Sequence, residues 1–396
     1  MNEIFVIVGA GQAGGWVAKT LRAEGFGGRI VLIGQEAHCP YERPPLSKSA
    51  LTLGTFQPSE TVLDRDAAAA AGIEMWLGVT VTAIDRDTRS VLCADGRVLD
   101  YDRLFLTMGS LPRRPDWLSE GHHARIHLLR TRADAVRLRN GLTKARRLLI
   151  VGGGWIGLET AASARSLGLD VTVYEAAERI CARSLPAQTS AWLADLHERN
   201  GVRIVANAVV ESVSDEPDGV RLSLADGTSV SGDILLVGIG NVPHTALAEA
   251  AGLHVDNGVV VDASGRTSDD RIFAAGDITN QPCPLTLGRT RRESWANAQN
   301  QAIVAAKASL GQSVTHAETP WIWSDQYEAN IQILGMPESA ARLLPHPATK
   351  PETLCWLAIR HDGIPIGAVS VNAPRQLRAA RKLIAAGRPV MDAEWA

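Results

Sequence analysis

Paired cysteines are missing from this sequence. Its five cysteines, Cys39, Cys93, Cys181, Cys283 and Cys355, include no CxxC or CxxxxC pair. That spacing excludes a redox-active dithiol or a zinc motif that could be read from the chain, and five inert thiols are expected. Long apolar runs are also absent: no stretch approaches the roughly 18–20 residues of a membrane span. The opening segment, MNEIFVIVGAG, has neither a basic region nor a cleavage site and runs directly into glycines. It is expected to be a buried strand rather than a targeting signal, which favours a cytosolic protein. The charge lacks a dominant sign, with a formal net of -3, so nothing global points to nucleic acid or an anionic membrane. No catalytic triad, HExxH or P-loop is present, and no low-complexity linker separates the parts. A chain of 396 residues exceeds one hydrophobic core and fits two or three domains.

What the sequence does contain is a duplication about 143 residues apart. IFVIVGAGQAGGWVAKTL near the start and LLIVGGGWIGLETAASARSL further on each read as an apolar strand, a G-x-G-x-x-G loop and a helix. Each continues into a second strand ending in an acid, Glu36 or Glu175. These acids follow the last glycine by about 22 and 18 residues, close to the offset of about 20 for a ribose-binding carboxylate. The first glycine makes the tight turn, the second admits a pyrophosphate and the third lets the helix pack on its strand. The helix N-terminus then offers free N–H groups and partial positive charge to the phosphates. Gly9, Gly11 and Gly14 form one such set, and Gly152, Gly154 and Gly157 the other. Two dinucleotide sites in one chain imply a tightly held flavin and a diffusible nicotinamide. A carboxylate at Glu175 repels the 2′-phosphate of NADP, so NADH is expected, although Arg179 and Arg183 lie close enough to offset part of that repulsion.

A second repeat covers GVTVTAIDRDTRSVLCADGRVLDYDRLFLTMG and ANAVVESVSDEPDGVRLSLADGTSVSGDILLVGIG. Each alternates like antiparallel strands, breaks at an Asp-Gly turn (Asp95-Gly96, Asp226-Gly227) and closes on a buried strand. Gly276-Asp277 ends the apolar FAAGD strand, where an acid suits either a ribityl hydroxyl or a helix N-cap. CPYERPPLSK supplies two loop cations, Arg43 and Lys48, for a pyrophosphate or flavin ring, or for a solvated turn. The expected architecture is α/β, with two Rossmann-like dinucleotide-binding domains and a C-terminal α+β domain. The boundaries are 1–110 and 235–318 for the flavin domain, 111–234 for the nicotinamide domain and 319–396 for the last.

PYERPPLSK, GGGWIGLE, VGIGNVP, IFAAGDI, ESWANAQ and PWIWSDQY occur in one order along nearly the whole chain. In this the sequence resembles the FAD-dependent ferredoxin reductases of bacterial oxygenase systems, within the glutathione-reductase-like superfamily. The resemblance implies that the first fold, with Gly9, Gly11, Gly14 and Glu36, holds the ADP half of FAD. It implies that Arg43 and Lys48 contact FAD, Lys48 near the reactive edge, that Asp277 meets the ribityl chain and that Trp295 lies beside the flavin ring. It gives the inner fold, with Gly152, Gly154, Gly157, Glu175 and Arg183, to NADH. Glu159 then falls where nicotinamide meets flavin, so Lys48, Glu159 and Trp295 are the residues expected nearest the chemistry. Trp323 and Gln326 match a motif that closes on the flavin. The implied activity passes electrons from NADH through FAD to a small acidic [2Fe-2S] ferredoxin, and from there to an oxygenase of aromatic catabolism. Arg375, Arg378, Arg381 and Lys382 on a basic helix are the expected docking face, with Arg289, Arg291 and Arg292 second in line. Where many relatives read Ala-Thr-Gly, this chain has Thr107-Met108-Gly109, which implies weaker local FAD contacts. Two rival activities share the fold. One is a thiol-dependent NADH oxidase, peroxidase or coenzyme A-disulfide reductase, for which Cys39 is the candidate nucleophile. The other is a redox-regulated binding protein like apoptosis-inducing factor.

Overall fold

A computed structural model describes residues 3–119, 123–286, 288–347 and 352–395. The chain divides into two compact units. The first comprises Met1–Arg43, Gln57–Leu111 and Val242–Pro320, and the second Pro44–Phe56, Pro112–Asn241 and Trp321–Ala396.

The first unit is built on a parallel five-stranded sheet in the order Ile272–Ala274, Arg103–Leu106, Ile4–Val8, Arg29–Gly34, Ile73–Leu77. Its strands are apolar on both faces, as a parallel sheet requires, and alternate residues build separate cores. Phe5, Ile7, Ile30, Leu32, Phe105 and Phe273 pack on one side with Val17 and Leu21 of the glycine-loop helix. Val6, Val8, Val31, Ile33, Leu104 and Leu106 pack on the other. Phe5 stacks on Phe26 with ring centroids 4.0 Å apart, and Phe105 on Phe273 at 5.7 Å.

The second unit repeats the plan, its parallel sheet running Val202–Val205, Asp170–Tyr174, Arg147–Val151, Ile234–Val237, Ile126–His127. In both sheets the strand that feeds the glycine loop is central. Its neighbours lie on opposite sides, so the loop opens at a topological switch point, where dinucleotides bind in such folds. Each sheet has a three-stranded antiparallel companion, Val81–Asp85 with Ser90–Cys93 and Val98–Asp100, and Val210–Glu216 with Gly219–Leu224 and Ser229–Gly232. Gly96 and Gly227 in the Asp-Gly turns take φ of 85° and 83°, which glycine adopts without a Cβ clash.

The C-terminal sheet is antiparallel, in the order Trp321–Gln326, Ala329–Gly335, Pro365–Val371, Leu354–Ile359, Arg342–Pro345. The helix Pro374–Ala386 buries Leu377, Ala380 and Ile384 and packs on Pro365–Val371. Three boundaries differ from the sequence reading. Ile234–Val237 hydrogen-bonds to Leu148–Val151, so the second nucleotide fold does not end at 234. The short segment Pro44–Phe56 belongs to the second unit, where Arg139 binds the carbonyls of Leu51 and Thr52. The C-terminal sheet joins the second nucleotide fold in one compact unit through a shared core that includes Leu158, Leu193, Ile331 and Val369.

Candidate active site

Each glycine of the first loop has its own physical reason. Gly9 takes φ of 112°, and a Cβ there would lie 2.4 Å from the Thr107 carbonyl oxygen. A Cβ on Gly14 would lie 2.0 Å from the Gly9 carbonyl oxygen, which is how closely the helix approaches the strand. Gly11 is different: its backbone is ordinary extended chain, φ -98° and ψ -159°. A Cβ there meets nothing closer than an Arg43 guanidinium nitrogen at 4.0 Å. The helix Gln12–Ala23 that follows has no side-chain cap and no acid in its first turn. Its leading N–H groups therefore have no capping side chain and suit an anion. Gln12 is buried, yet neither atom of its amide has a partner among the described residues. A buried amide without partners is costly, so the cradle is complete only with a polar ligand in it.

Glu36 stands at the end of the second strand. Its carboxylate accepts from the Tyr41 hydroxyl at 2.6 Å and from Arg43 at 3.0 Å. Burial works against the Arg43 guanidinium, but Tyr41, Glu36 and Asp277 outweigh it and raise its pKa. Asp277 in turn accepts from Ser110 at 3.1 Å. The turn before it is pinned by Gln301, whose side-chain oxygen accepts from the Gly276 N–H and the Thr279 hydroxyl, both at 2.9 Å. Trp295 opens the helix Trp295–Ser309, which Ser294 caps, and its indole lies near enough to Glu42 to oppose the rise that burial gives that carboxyl's pKa. Thus Glu36, Arg43 and Asp277, scattered in sequence, meet in one charged cluster. Thr107 donates to the carbonyls of Val8 and Gly9, so in TMG it is Thr107, not position 108, that supplies the hydroxyl to the glycine loop.

The second loop repeats the geometry. Gly152 has φ of 108° and a hypothetical Cβ 2.3 Å from the Gly238 carbonyl oxygen, while the Cβ of Gly157 would lie 2.2 Å from that of Gly152. Gly154 again faces open space in an extended conformation. One Glu175 oxygen accepts from the Gly153 N–H at 2.6 Å and the other from the Ala177 N–H at 2.8 Å. The carboxylate is thus fixed beside the loop. Arg179 donates to the carbonyls of Leu185 at 2.6 Å and Ala182 at 3.2 Å, so its guanidinium is held by backbone and forms no ion pair with Glu175. Arg183 is exposed, its guanidinium beside Gly240.

Within the same unit Glu159 is buried and its carboxylate is fully engaged. Lys48 lies 2.7 Å away, the Ser47 hydroxyl 2.5 Å and the Ser324 hydroxyl 2.5 Å. Trp323 is half-buried and stacks on Trp321, ring centroids 5.2 Å apart. Gln326 does not stand open beside it: its amide bonds Ser324 and His197. Tyr41, Ser110, Ser47, Ser324 and His197 are site residues that the sequence reading missed. The first four sit in or beside motifs it quotes. His197 carries no local signal, because tertiary folding alone brings its helix to Gln326.

Cys39 is half-exposed, and Cys93, Cys181, Cys283 and Cys355 are buried. Burial pushes the Cys355 thiol up to about 12 and raises Cys93 and Cys181. The cations of the alternative basic patch have partners within the fold. Arg289 binds the carbonyls of Val261 and Asn280, Arg291 pairs with Glu293, and Arg292 is buried against Glu318 and Cys283.

Both cradles suit a dinucleotide, and comparison with known proteins agrees. The family model for pyridine nucleotide-disulphide oxidoreductases matches residues 4–302, and a reductase C-terminal domain matches 321–396. The chain is 42% identical to the ferredoxin–NAD(+) reductase component of the anthranilate 1,2-dioxygenase system of Burkholderia cepacia, over 97% of this chain and 94% of that one. It is 39% identical, over the whole of both chains, to the corresponding component of the 3-phenylpropionate/cinnamic acid dioxygenase of Photorhabdus laumondii. Putidaredoxin reductase in its covalent complex with putidaredoxin superposes with a TM-score of 0.94 at 36% identity, over 100% of this chain and 95% of that one. A water-forming NADH oxidase from Lactobacillus brevis, at 21% identity and a TM-score of 0.89, shares the fold. The chain belongs to the pyridine nucleotide-disulphide oxidoreductase family, among its ferredoxin–NAD(+) reductases.

Proposed function

We propose that this protein draws electrons from NADH through FAD and delivers them singly to a small acidic [2Fe-2S] ferredoxin that serves a ring-hydroxylating oxygenase. The observation that carries the reading is the duplicated cradle, open only at its middle glycine and followed each time by a fixed carboxylate. Bound FAD would supply the redox chemistry, hydride acceptance from NADH and release of the two electrons singly, and that chemistry belongs to the cofactor. The protein binds and orients. Gly11 and the first turn of Gln12–Ala23 receive the FAD pyrophosphate, Glu36 its ribose, Asp277 the ribityl hydroxyls, and Arg43, Trp295 and Trp323 the remainder. Gly154, Glu175 and Arg183 hold NADH, with the Lys48–Glu159 pair nearest the reacting rings.

Arg375, Arg378, Arg381 and Lys382 are all exposed on the helix Pro374–Ala386, whose other face is buried. We assign this face to the carrier, since a basic patch steers an acidic partner. We assign the reaction to the cytoplasm, where NADH is at hand, and no helix among the described residues is long and apolar enough to cross a membrane. The test is anaerobic. Purified protein is expected to be yellow with one FAD per chain, to bleach on NADH, and then to reduce an added ferredoxin. Protein without flavin, or flavin that NADH does not bleach, refutes the reading.

A further inference from the structure

Beyond the Lys48–Glu159 pair runs a line of buried hydrogen bonds. Ser324 donates to the Glu159 carboxylate at 2.5 Å, and the Gln326 amide nitrogen donates to the Ser324 hydroxyl at 2.9 Å. His197 Nε2 lies 2.6 Å from the Gln326 side-chain oxygen, and the Tyr327 hydroxyl lies 3.2 Å from His197 Nδ1. The direction of every bond follows from chemistry. Gln326 offers His197 a carbonyl oxygen, so the imidazole carries its proton on Nε2 and accepts from Tyr327 at Nδ1. Burial keeps His197 neutral by pushing its pKa down to about 4. All four donors therefore point toward Glu159. His197 is fully buried, and Ser324 and Gln326 are nearly so.

The line is no proton relay. A carboxamide passes a proton only through its unfavourable imidic tautomer, so Gln326 interrupts any such path. What a one-way chain of donors in a low-dielectric interior does is reinforce the acceptor at its end, each bond polarising the next. Glu159 has no freedom left: Ser47 holds one oxygen, while Ser324 and Lys48 share the other. Lys48 gives a second N–H to the Pro44 carbonyl at 3.3 Å, and among the described residues its third has no partner and can meet a ligand. The outer end carries strain. Tyr327 takes φ of 52° in the two-residue turn between Gln326 and Ala329, a left-handed conformation that suits glycine or asparagine. Its ring nonetheless packs edge-on against His197, centroids 5.2 Å apart.

We propose that Ser324, Gln326 and His197 are positioning residues, which orient Glu159 and through it aim the Lys48 ammonium at the reacting rings. This rests on the reading that Lys48 and Glu159 stand nearest the NADH–flavin chemistry. The experiment is stopped-flow reduction of the bound flavin by NADH, with the FAD-loaded full-length protein. Ser324→Ala is expected to lower the limiting rate about tenfold, the scale of one hydrogen bond to a charged group. The NADH dissociation constant and FAD content should stay within about twofold, and Ser324→Thr should restore the rate. In a Glu159→Gln background the same change should cost less than about twofold, because residues that act through one another are not additive. Tyr327→Phe, which keeps the ring, should cost about two- to threefold and serves if Ser324→Ala fails to fold. An unchanged limiting rate in both variants overturns the proposal, as does an equal loss in the Glu159→Gln background. A wild-type flavin that NADH does not reduce overturns instead the functional reading beneath it.

Discussion

Two glycines three residues apart in the first loop should fail in opposite ways when given a side chain. Gly11 has extended backbone and open space, the nearest atom to a Cβ lying 4.0 Å away on Arg43. Gly11→Ala should therefore leave the flavin-free protein within about 1 kcal/mol of wild type, since a compatible φ and ψ carry no strain. The same methyl occupies the space assigned to the pyrophosphate, and Gly11→Leu should abolish FAD retention. A ligand at about 100 times its Kd stabilises by about 2.7 kcal/mol, so the variants should lose several degrees of Tm only relative to flavin-loaded wild type. Gly14→Ala is the converse. Its Cβ would stand 2.0 Å from a backbone oxygen and 3.0 Å from the Thr107 hydroxyl, where neither neighbour is the end of a flexible chain. Overpacking of this kind costs about 1–3 kcal/mol, and it should appear in the apoprotein as well. The assay is thermal unfolding of wild type and variants with and without FAD, beside flavin-to-protein absorbance ratios. Full FAD occupancy in Gly11→Leu refutes the assignment of the loop. A Gly14→Ala apoprotein as stable as wild type refutes the packing argument.

Glu175 should make kcat/KM for NADH exceed that for NADPH by at least about tenfold, and Glu175→Gln should narrow the gap. Because the carboxylate also holds the Gly153 and Ala177 N–H groups, that variant should slow NADH use as well, and equal initial use of both cofactors would sink the reading. Reversing charge at Arg375, Arg378 and Arg381 should leave NADH reduction of the flavin intact while ferredoxin reduction falls. Wild-type ferredoxin reduction should itself weaken with added salt, as exposed charges are screened over about 8–10 Å; equal loss of both half-reactions would make the helix structural. His127, His197 and His316 each have pKa values pushed down to about 4 by burial. The unfolded chain thus binds more protons between about 4 and 6.5, and their contribution to stability falls as pH drops through that window. Tm measured at constant ionic strength should decline from pH 7 to pH 5, and a flat profile contradicts the burial of these rings.

The two nucleotide folds were legible because their determinants are local. The positive φ of the first glycine, the close helix approach at the third and an acid at a strand end recur at fixed offsets, so spacing along the chain suffices to find them, although the backbone that crowds Gly9 and Gly152 comes from Thr107 and Gly238 far along the chain. The Asp-Gly turns of the two meanders are legible for the same reason. Domain boundaries were less so. Whether Ile234–Val237 closes one sheet or starts another depends on which strand it pairs with, and an apolar run looks the same in either place. The basic side chains show the limit most clearly. Arg179, Arg289 and Arg292 read from sequence as available positive charge, and tertiary structure turns each toward backbone carbonyls. Arg375 and Arg378 stay exposed because their helix buries its opposite side. Glu159 stood out by its place in GGGWIGLE, but what fixes its carboxylate is spread over Ser47, Ser324, Gln326 and His197. Ser324 and Gln326 share one strand face, but no periodicity links them to Ser47 or His197, because a buried hydrogen-bond chain is set by proximity in space and only the folded chain makes them neighbours.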